Sequence, residues 1–291
     1  MTAISPTRRR FLKLAAAAGA LAIGVDATIF EPNHPRLVRV DIPLTRLPRE
    51  FDRFTIVQLS DFHFDPYFSI GPIRKAVEMA NSLRPHLVVL TGDFVTAPEI
   101  ASMERKRRAA EHADPCSAVL RELRAEYGVW AVLGNHDTFA DPVYIADTLR
   151  RAGIEVLVNA SAPIERGGRR LWLAGVADVL ARRVDLDSAL RGISSGEPAV
   201  LLAHEPDFAD QAAKYPIDLQ LSGHSHGGQI RFPLVGPLYL PRLARKYPRG
   251  LRSVDRLTLY TNVGIGTLYV PVRWNCAPEV TLITLRSSKP V

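Results

Sequence analysis

Short apolar runs alternate with helical periodicities along most of the chain, and several runs stop on the same kind of polar cluster. Phe54-Thr55-Ile56-Val57-Gln58-Leu59-Ser60 is nearly apolar throughout, as a strand covered on both faces would be, and it ends at Asp61-Phe62-His63. Ile73, Val77, Ala80 and Leu83 follow at helical spacing. Leu87 to Leu90 is a second buried strand and stops at Thr91-Gly92-Asp93. Residues 99–127 are charged and alanine-rich, which predicts helix with a break at Asp114-Pro115. Gly128 to Leu133 is a third strand, ending at Gly134-Asn135-His136-Asp137, and Asp141 to Ala152 reads as a helix. Short strands are expected around Val156 and at Leu171 to Ala174. Ala199 to Ala203 then ends at His204-Glu205-Pro206-Asp207, with a short helix over Phe208 to Lys214. The alternating run Ile217 to Leu221 ends at Ser222-Gly223-His224-Ser225-His226-Gly227-Gly228, where the glycines allow a tight turn.

Outside this middle region the pattern is looser. Pro32 to Pro48 reads as a strand or hairpin at a sheet edge. Residues 231–252 are broken by Pro233, Pro237, Pro241 and Pro248, and they carry Arg242, Arg245, Lys246 and Arg249 among Leu238, Tyr239, Leu240 and Tyr247. Such a loop either meets substrate or an anionic surface, or braces the C-terminal strands. Those strands are expected around Leu257 to Tyr260, Leu268 to Val270 and Val280 to Leu285. Strand–helix alternation predicts a layered α/β fold, and in open α/β sheets ligands bind at the carboxyl ends of strands. The five polar clusters would then share one crevice.

The N-terminus changes the charge picture. Thr7-Arg8-Arg9-Arg10-Phe11-Leu12-Lys13 precedes the apolar run Leu14 to Val25, the pattern of an export signal. The run is short of the roughly 20 apolar residues of a transmembrane helix. Its order resembles a twin-arginine signal, with Val25-Asp26-Ala27 as the cleavage site. The expected division is an export signal over residues 1–27 and one domain over residues 28–291. The full chain has 37 basic and 30 acidic side chains, net +7; without the leader's four basic and one acidic residues these become 33 and 29, net +4. So mild an excess does not call for nucleic acid as a partner. Cys116 and Cys276 could pair outside the cytoplasm, or stay as two buried thiols.

The strand ends collect Asp61, His63, Asp93, Asn135, His136, His204, His224 and His226. A mixed carboxylate, amide and imidazole set suits Mn, Fe or Zn, and differs from a cysteine-rich structural zinc site. It is too large for one tetrahedral ion. Two ions about 3.5–4 Å apart, bridged by one carboxylate, would use it fully. Taken singly, His63 or His204 would read as a core histidine, and His34, His86 and His112 lie outside the clusters. Glu205 and Asp207 read as supporting or helix-capping groups.

Asp-x-His, Gly-Asp, Gly-Asn-His-Asp, a lone His and Gly-His-x-His, in that order, resemble the signature of the calcineurin-like metallophosphoesterases. The resemblance implies a four-layer sandwich of two mixed β-sheets flanked by helices. It implies a first ion on Asp61, His63, Asp93 and His226, and a second on Asp93, Asn135, His204 and His224. His136 would contact phosphate and protonate the leaving group, Asp137 would hold His136, and a metal-bridging hydroxide would attack the phosphate. Gly92 to Pro98 lacks the second Asp and the Arg found at that block in the protein Ser/Thr phosphatases of the superfamily, so that subgroup is disfavoured. Gly227 to Arg231, Tyr260 to Thr267 and Pro278-Glu279-Val280 look like the bacterial, envelope-associated YkuE/YaeI-like subgroup. That subgroup also resembles enzymes cleaving the pyrophosphate of UDP-2,3-diacylglucosamine, a cytoplasmic step at odds with export. The resemblance therefore implies a phosphodiesterase or phosphatase brought out by the Tat translocase, periplasmic or envelope-associated, acting on an envelope lipid or wall polymer. A non-catalytic envelope-binding protein of the same fold is the reading from another class.

Overall fold

The computed structural model describes residues 6–288. Helix α1 (Pro6–Val25) leads, without a break, through Asp26–Phe30 and Glu31–Asn33 into strand β1 (Arg36–Leu44). There follow β2 (Thr55–Leu59), α2 (Ile70–Ser82), β3 (Leu87–Leu90), α3 (Met103–Glu111), α4 (Ala113–Leu120), β4 (Val129–Ala131), α5 (Asn135–Ala140), α6 (Pro142–Arg151) and β5 (Ile154–Val156). The second half holds β6 (Ala160–Arg166), β7 (Arg169–Gly175), α7 (Leu186–Ala189), β8 (Ala199–Leu202), α8 (Ala209–Ala212), β9 (Leu219–Ser222), the short β10 (Arg231–Phe232) and β11 (Gly236–Pro237), β12 (Gly250–Val254), β13 (Leu257–Thr261) and β14 (Glu279–Ser287).

Two six-stranded mixed sheets result, ordered β1-β14-β2-β3-β4-β5 and β12-β13-β9-β8-β7-β6. Their facing sides share one core, in which Ile56, Leu87 and Val89 of the first sheet meet Val200, Leu202, Leu219 and Leu221 of the second. The outer side of the first sheet packs Val57, Leu59, Val88 and Leu90 against Ile73, Val77 and Ala80 of α2, Cys116 and Leu120 of α4, and Ile145 and Leu149 of α6. The outer side of the second packs Ala174 and Leu201 against Leu186 of α7 and Ala209 and Ala212 of α8. The expected four layers are present. Strands covered on both faces need apolar residues on both, so β2, β3, β8 and β9 read as runs rather than as alternation. Cys116 and Cys276 are both buried and unpaired.

Four local expectations are corrected. The helix over residues 99–127 breaks at His112, not at Asp114-Pro115, and Pro115 sits in the first turn of α4, where no intrahelical N–H is needed. Leu268 to Val270 is a bend in the loop between β13 and β14 rather than a strand, with Tyr269 79 % exposed and the Leu268 and Val270 carbonyls accepting from Gln229 Nε2. β12, which pairs antiparallel with β13, is a strand at the end of the proline-broken segment where only loop was expected. The leader is not too short to span a membrane: the helix continues to the residues before Pro35, so Arg9–Asn33 is 25 residues long and apolar enough to cross one. The first five residues of that leader lie outside the described residues.

The segment after the leader is docked rather than hanging free. Ala27 is buried and its carbonyl accepts the Arg273 amide at 2.9 Å. The Glu31 carboxylate accepts the amides of Asn275, at 2.8 Å, and Cys276. Arg273, wholly buried, donates to the carbonyls of Val263, Gly266 and Cys276 at 2.6–3.0 Å, which ties the loop between β13 and β14 into one piece.

Candidate metal centre

β2, β3 and β4 of the first sheet and β8 and β9 of the second all release their chains at one end of the sandwich. Immediately beyond the strands, Asp61, His63, Asp93, His224 and His226 take left-handed backbone conformations, with φ of 51°, 40°, 57°, 65° and 49°. Non-glycine residues seldom adopt this region, and each instance costs of order 1–3 kcal/mol that the surroundings must offset. Here the turns brace one another: Asp61 N–H donates to the Gly92 carbonyl at 2.9 Å, and His63 N–H to that of Asp93 at 3.0 Å. Across the sheets, His224 N–H donates to the Asp61 carboxylate at 2.9 Å, and Gln58 Nε2 to the Ser222 carbonyl at 2.9 Å. Glycine allows the close approach. A Cβ on Gly134 would lie 2.2 Å from Asp93 Oδ1, and one on Gly223 1.9 Å from Ser60 Oγ.

The side chains converge accordingly. Asp61, His63 and His226 offer ligand atoms all within 4.8 Å of one another, as do Asp93, His204 and His224, and the set His63, Asp93 and His136 joins the two. His63 Nε2 faces His226 Nε2 at 3.0 Å, an approach of two imidazole nitrogens that a shared cation would satisfy. The Asp93 Oδ2 atom lies 3.0 Å from His204 Nε2 and 3.5 Å from His63 Nε2, between the two sets. Asn135, buried at the start of α5, has no partner for Oδ1. Far-side contacts fix three of the four rings: His63 Nδ1 with Thr96 Oγ1 at 2.9 Å, His204 Nδ1 with the Thr91 carbonyl at 2.6 Å, His224 Nε2 with the Arg242 carbonyl at 2.8 Å. Outer partners of this kind orient ligands toward an ion. The set of seven imidazole, carboxylate and amide donors, with no thiolate, fits a pair of borderline divalent ions.

Protonation agrees with that fit. Burial holds His63 and His224 down to about 3, and pushes His226 lower too, so these rings are neutral with lone pairs free. Burial lifts Asp61 to about 7, with the Asp93 charge adding and His204 opposing. Burial acts to raise Asp93 as well, but His204 and His136 outweigh it and keep the carboxyl well below its usual range. His204 is raised well above its ordinary value because Asp93 and Asp61 overcome its burial.

Seven of the eight strand-end residues therefore meet in one place, with Asn135 buried next to His136 at the start of α5, and Asp137 is where the structure departs from expectation. Its carboxylate does not reach the His136 ring. It accepts the amides of Asp93 and Phe94 at 2.8 Å, Gly134 at 3.0 Å and Val95 at 3.1 Å, because α5 turns that side chain toward the loop after β3. The His136 ring is held instead by the Ala97 carbonyl, 2.6 Å from Nδ1. Glu205 points away from the centre, accepting the amides of Val179 and Leu180 at 3.3 Å. Asp207 accepts the amides of Arg245, Lys246 and Tyr247 at 3.0–3.1 Å and so braces the basic loop. Sequence reading overlooked Thr96, which stands where the protein phosphatases have their second Asp, and the backbone carbonyls that orient the rings, which leave no side-chain signal.

The profile of the calcineurin-like phosphoesterases matches residues 54–228, from β2 through the Gly223 turn. The chain belongs to that family. It is a metal-dependent phosphoester hydrolase, and the matched span contains every strand-end residue of the centre. This phosphoesterase is 33 % identical to the uncharacterized metallophosphoesterase YkuE of Bacillus subtilis over 290 residues, covering 97 % of this chain and 98 % of that one. It is 33 % identical to the phosphodiesterase YaeI of Escherichia coli over 286 residues, covering 96 % and 99 %. The UDP-2,3-diacylglucosamine pyrophosphatase LpxG of Chlamydia trachomatis is 26 % identical over 319 residues, covering 89 % and 92 %.

Proposed function

We propose that this protein is an exported or membrane-anchored phosphodiesterase with two metal ions, acting on a phosphodiester or phosphomonoester of the cell envelope. The observation that carries the reading is the pair of ligand sets joined through His63 and Asp93. Asp61, His63, Asp93 and His226 would hold one ion; Asp93, Asn135, His204 and His224 the other; Mn, Fe and Zn suit the donors. When bound, such a pair supplies an activated water and neutralises the phosphate oxygens. His136, its Nδ1 fixed by Ala97, presents its remaining nitrogen beside His63 and Asp93, where it can protonate the departing oxygen. Asp137 fixes the loop that carries Asp93. The apolar N-terminal helix and the arginines at its start support an envelope substrate and a route through the Tat translocase.

The test is hydrolysis of bis-p-nitrophenyl phosphate by the full chain with added Mn, beside metal analysis of His224→Ala. Loss of one ion and of turnover in the variant is expected. Full turnover in chelator-treated His224→Ala would sink the reading, and a wild type that binds ions without hydrolysing any phosphoester would favour a binding protein.

A further inference from the structure

Beside His226 opens a cleft of about 260 Å³ whose walls are Ile230, Leu238, Tyr239, Leu268 and Val270. One of its walls is thus a candidate metal ligand and the rest is almost wholly apolar. The rim continues outward in the same chemistry. Leu234 and Val235, at the tip of the β10–β11 hairpin, are 108 % and 83 % exposed, and Tyr239 and Tyr269 are exposed beside them. A contiguous exposed apolar rim around a site calls for a cover. The chain carries its own pointer to that cover. Thr267 and Pro271, which flank the cleft's Leu268 to Val270 in the chain, face Thr28 and Pro32, at the base of the N-terminal helix, across a small pocket shared with Phe68. That helix is long and apolar enough to span a bilayer, and its docked end keeps the rim beside it. The basic loop is a poorer candidate for the lipid contact, since Lys246 is paired with Asp210 at 2.7 Å and the backbone there is tied to Asp207.

Resting on the phosphodiesterase reading, we propose that this cleft takes the hydrocarbon chain of a membrane phosphoester whose phosphate lies at the metal centre. The hairpin tip and residues 268–270 then sit in the lipid interface, and the substrate enters from the bilayer side. Because His226 belongs to both cleft and centre, chain and phosphate need only be a few bonds apart.

The test uses the full chain in lipid nanodiscs with p-nitrophenyl alkyl phosphates from ethyl to dodecyl. The wild-type kcat/KM should rise about fourfold per methylene until the cleft is full. Partition into the discs raises the rate for any protein, so the deciding quantity is the dodecyl-to-ethyl ratio in wild type against Leu238→Asp. A ratio at least tenfold smaller in the variant supports the proposal, and equal ratios overturn it; Val270→Asp serves if Leu238→Asp does not fold. Calorimetric binding of ethylphosphonate and dodecylphosphonate reads the cleft without turnover. Tighter binding of the longer chain by wild type but not by the variant upholds the cleft even if no phosphoester is hydrolysed, and equal affinities overturn it.

Discussion

The Asp137 carboxylate reaches the amide of Asp93 at 2.8 Å, and three further amides share it. Asp137 thus shapes the turn that presents Asp93 rather than tuning His136. Asp137→Asn would leave donors without acceptors, at about 1–3 kcal/mol for each buried orphan. It should lower Tm by roughly 5 °C or more and reduce metal content. His136→Gln should keep its metal and its Tm while kcat falls about 100-fold or more. Metal analysis with calorimetric melting separates the two; an Asp137→Asn variant that melts normally but is inactive would restore a direct partnership with His136.

Gly134 tests the shared carboxylate. An added Cβ lies 2.2 Å from Asp93 Oδ1, so Gly134→Ala must displace Asp93. Since Asp93 lies between both ligand sets, both ions should be lost, whereas His224→Ala should lose one. Gly196→Ala, where nothing lies within 4 Å, is the control. Full metal content in Gly134→Ala would mean that Asp93 is dispensable.

Ion uptake should release protons. Asp61, lifted to about 7, and His204, raised well above its usual value, are protonated at pH 6, whereas His63 and His224, at about 3, have no proton to give. Cations compete with those protons, so affinity for Mn should climb as pH rises from 6 toward 8. Titration calorimetry at pH 6 in buffers of different ionisation enthalpy should show buffer-dependent heats; identical heats would contradict it. In the metal-free chain the two groups act oppositely. The depressed His63 and His224 favour folding above their unfolded value near 6.5, and that contribution is lost as pH falls toward 3. The raised Asp61 favours folding below its unfolded value near 3.8, and its contribution is lost as pH rises through about 7.

Ala27 is buried and hydrogen-bonded to Arg273, so a protease would have to undock it to cut there. We expect the mature protein to keep the leader as an anchor, and intact mass measurement on membrane-extracted protein should include residues before 27. A mass beginning at Thr28 would show that cleavage outruns docking.

The site was more legible than its supports. Residues such as Leu87 to Leu90 and Ala199 to Leu202 announce buried strands because both faces are covered, and Gly-Asp or His at their ends marks where the chain turns. The left-handed backbone at Asp61, His63, Asp93, His224 and His226 was not legible, since the rule that positive φ favours glycine points elsewhere. Nor was Arg273, whose charge argues for the surface while its donors are satisfied by buried carbonyls. β12 escaped because its residues Leu251, Arg252 and Ser253 are exposed and carry no apolar alternation.

The last strand of the chain, β14, lies between the first, β1, and β2, pairing parallel to one and antiparallel to the other. A ribosome delivers those neighbours in the opposite order. Until residue 287 has emerged, β1 has no partner in its sheet and the turn carrying Asp61 and His63 hangs from an unprotected edge. Domains of this size commonly fold as whole units, and here the topology enforces it. We expect the centre to be completed only after synthesis, and a chain stopped before Glu279 should expose strand edges to aggregation rather than leave a smaller, working enzyme.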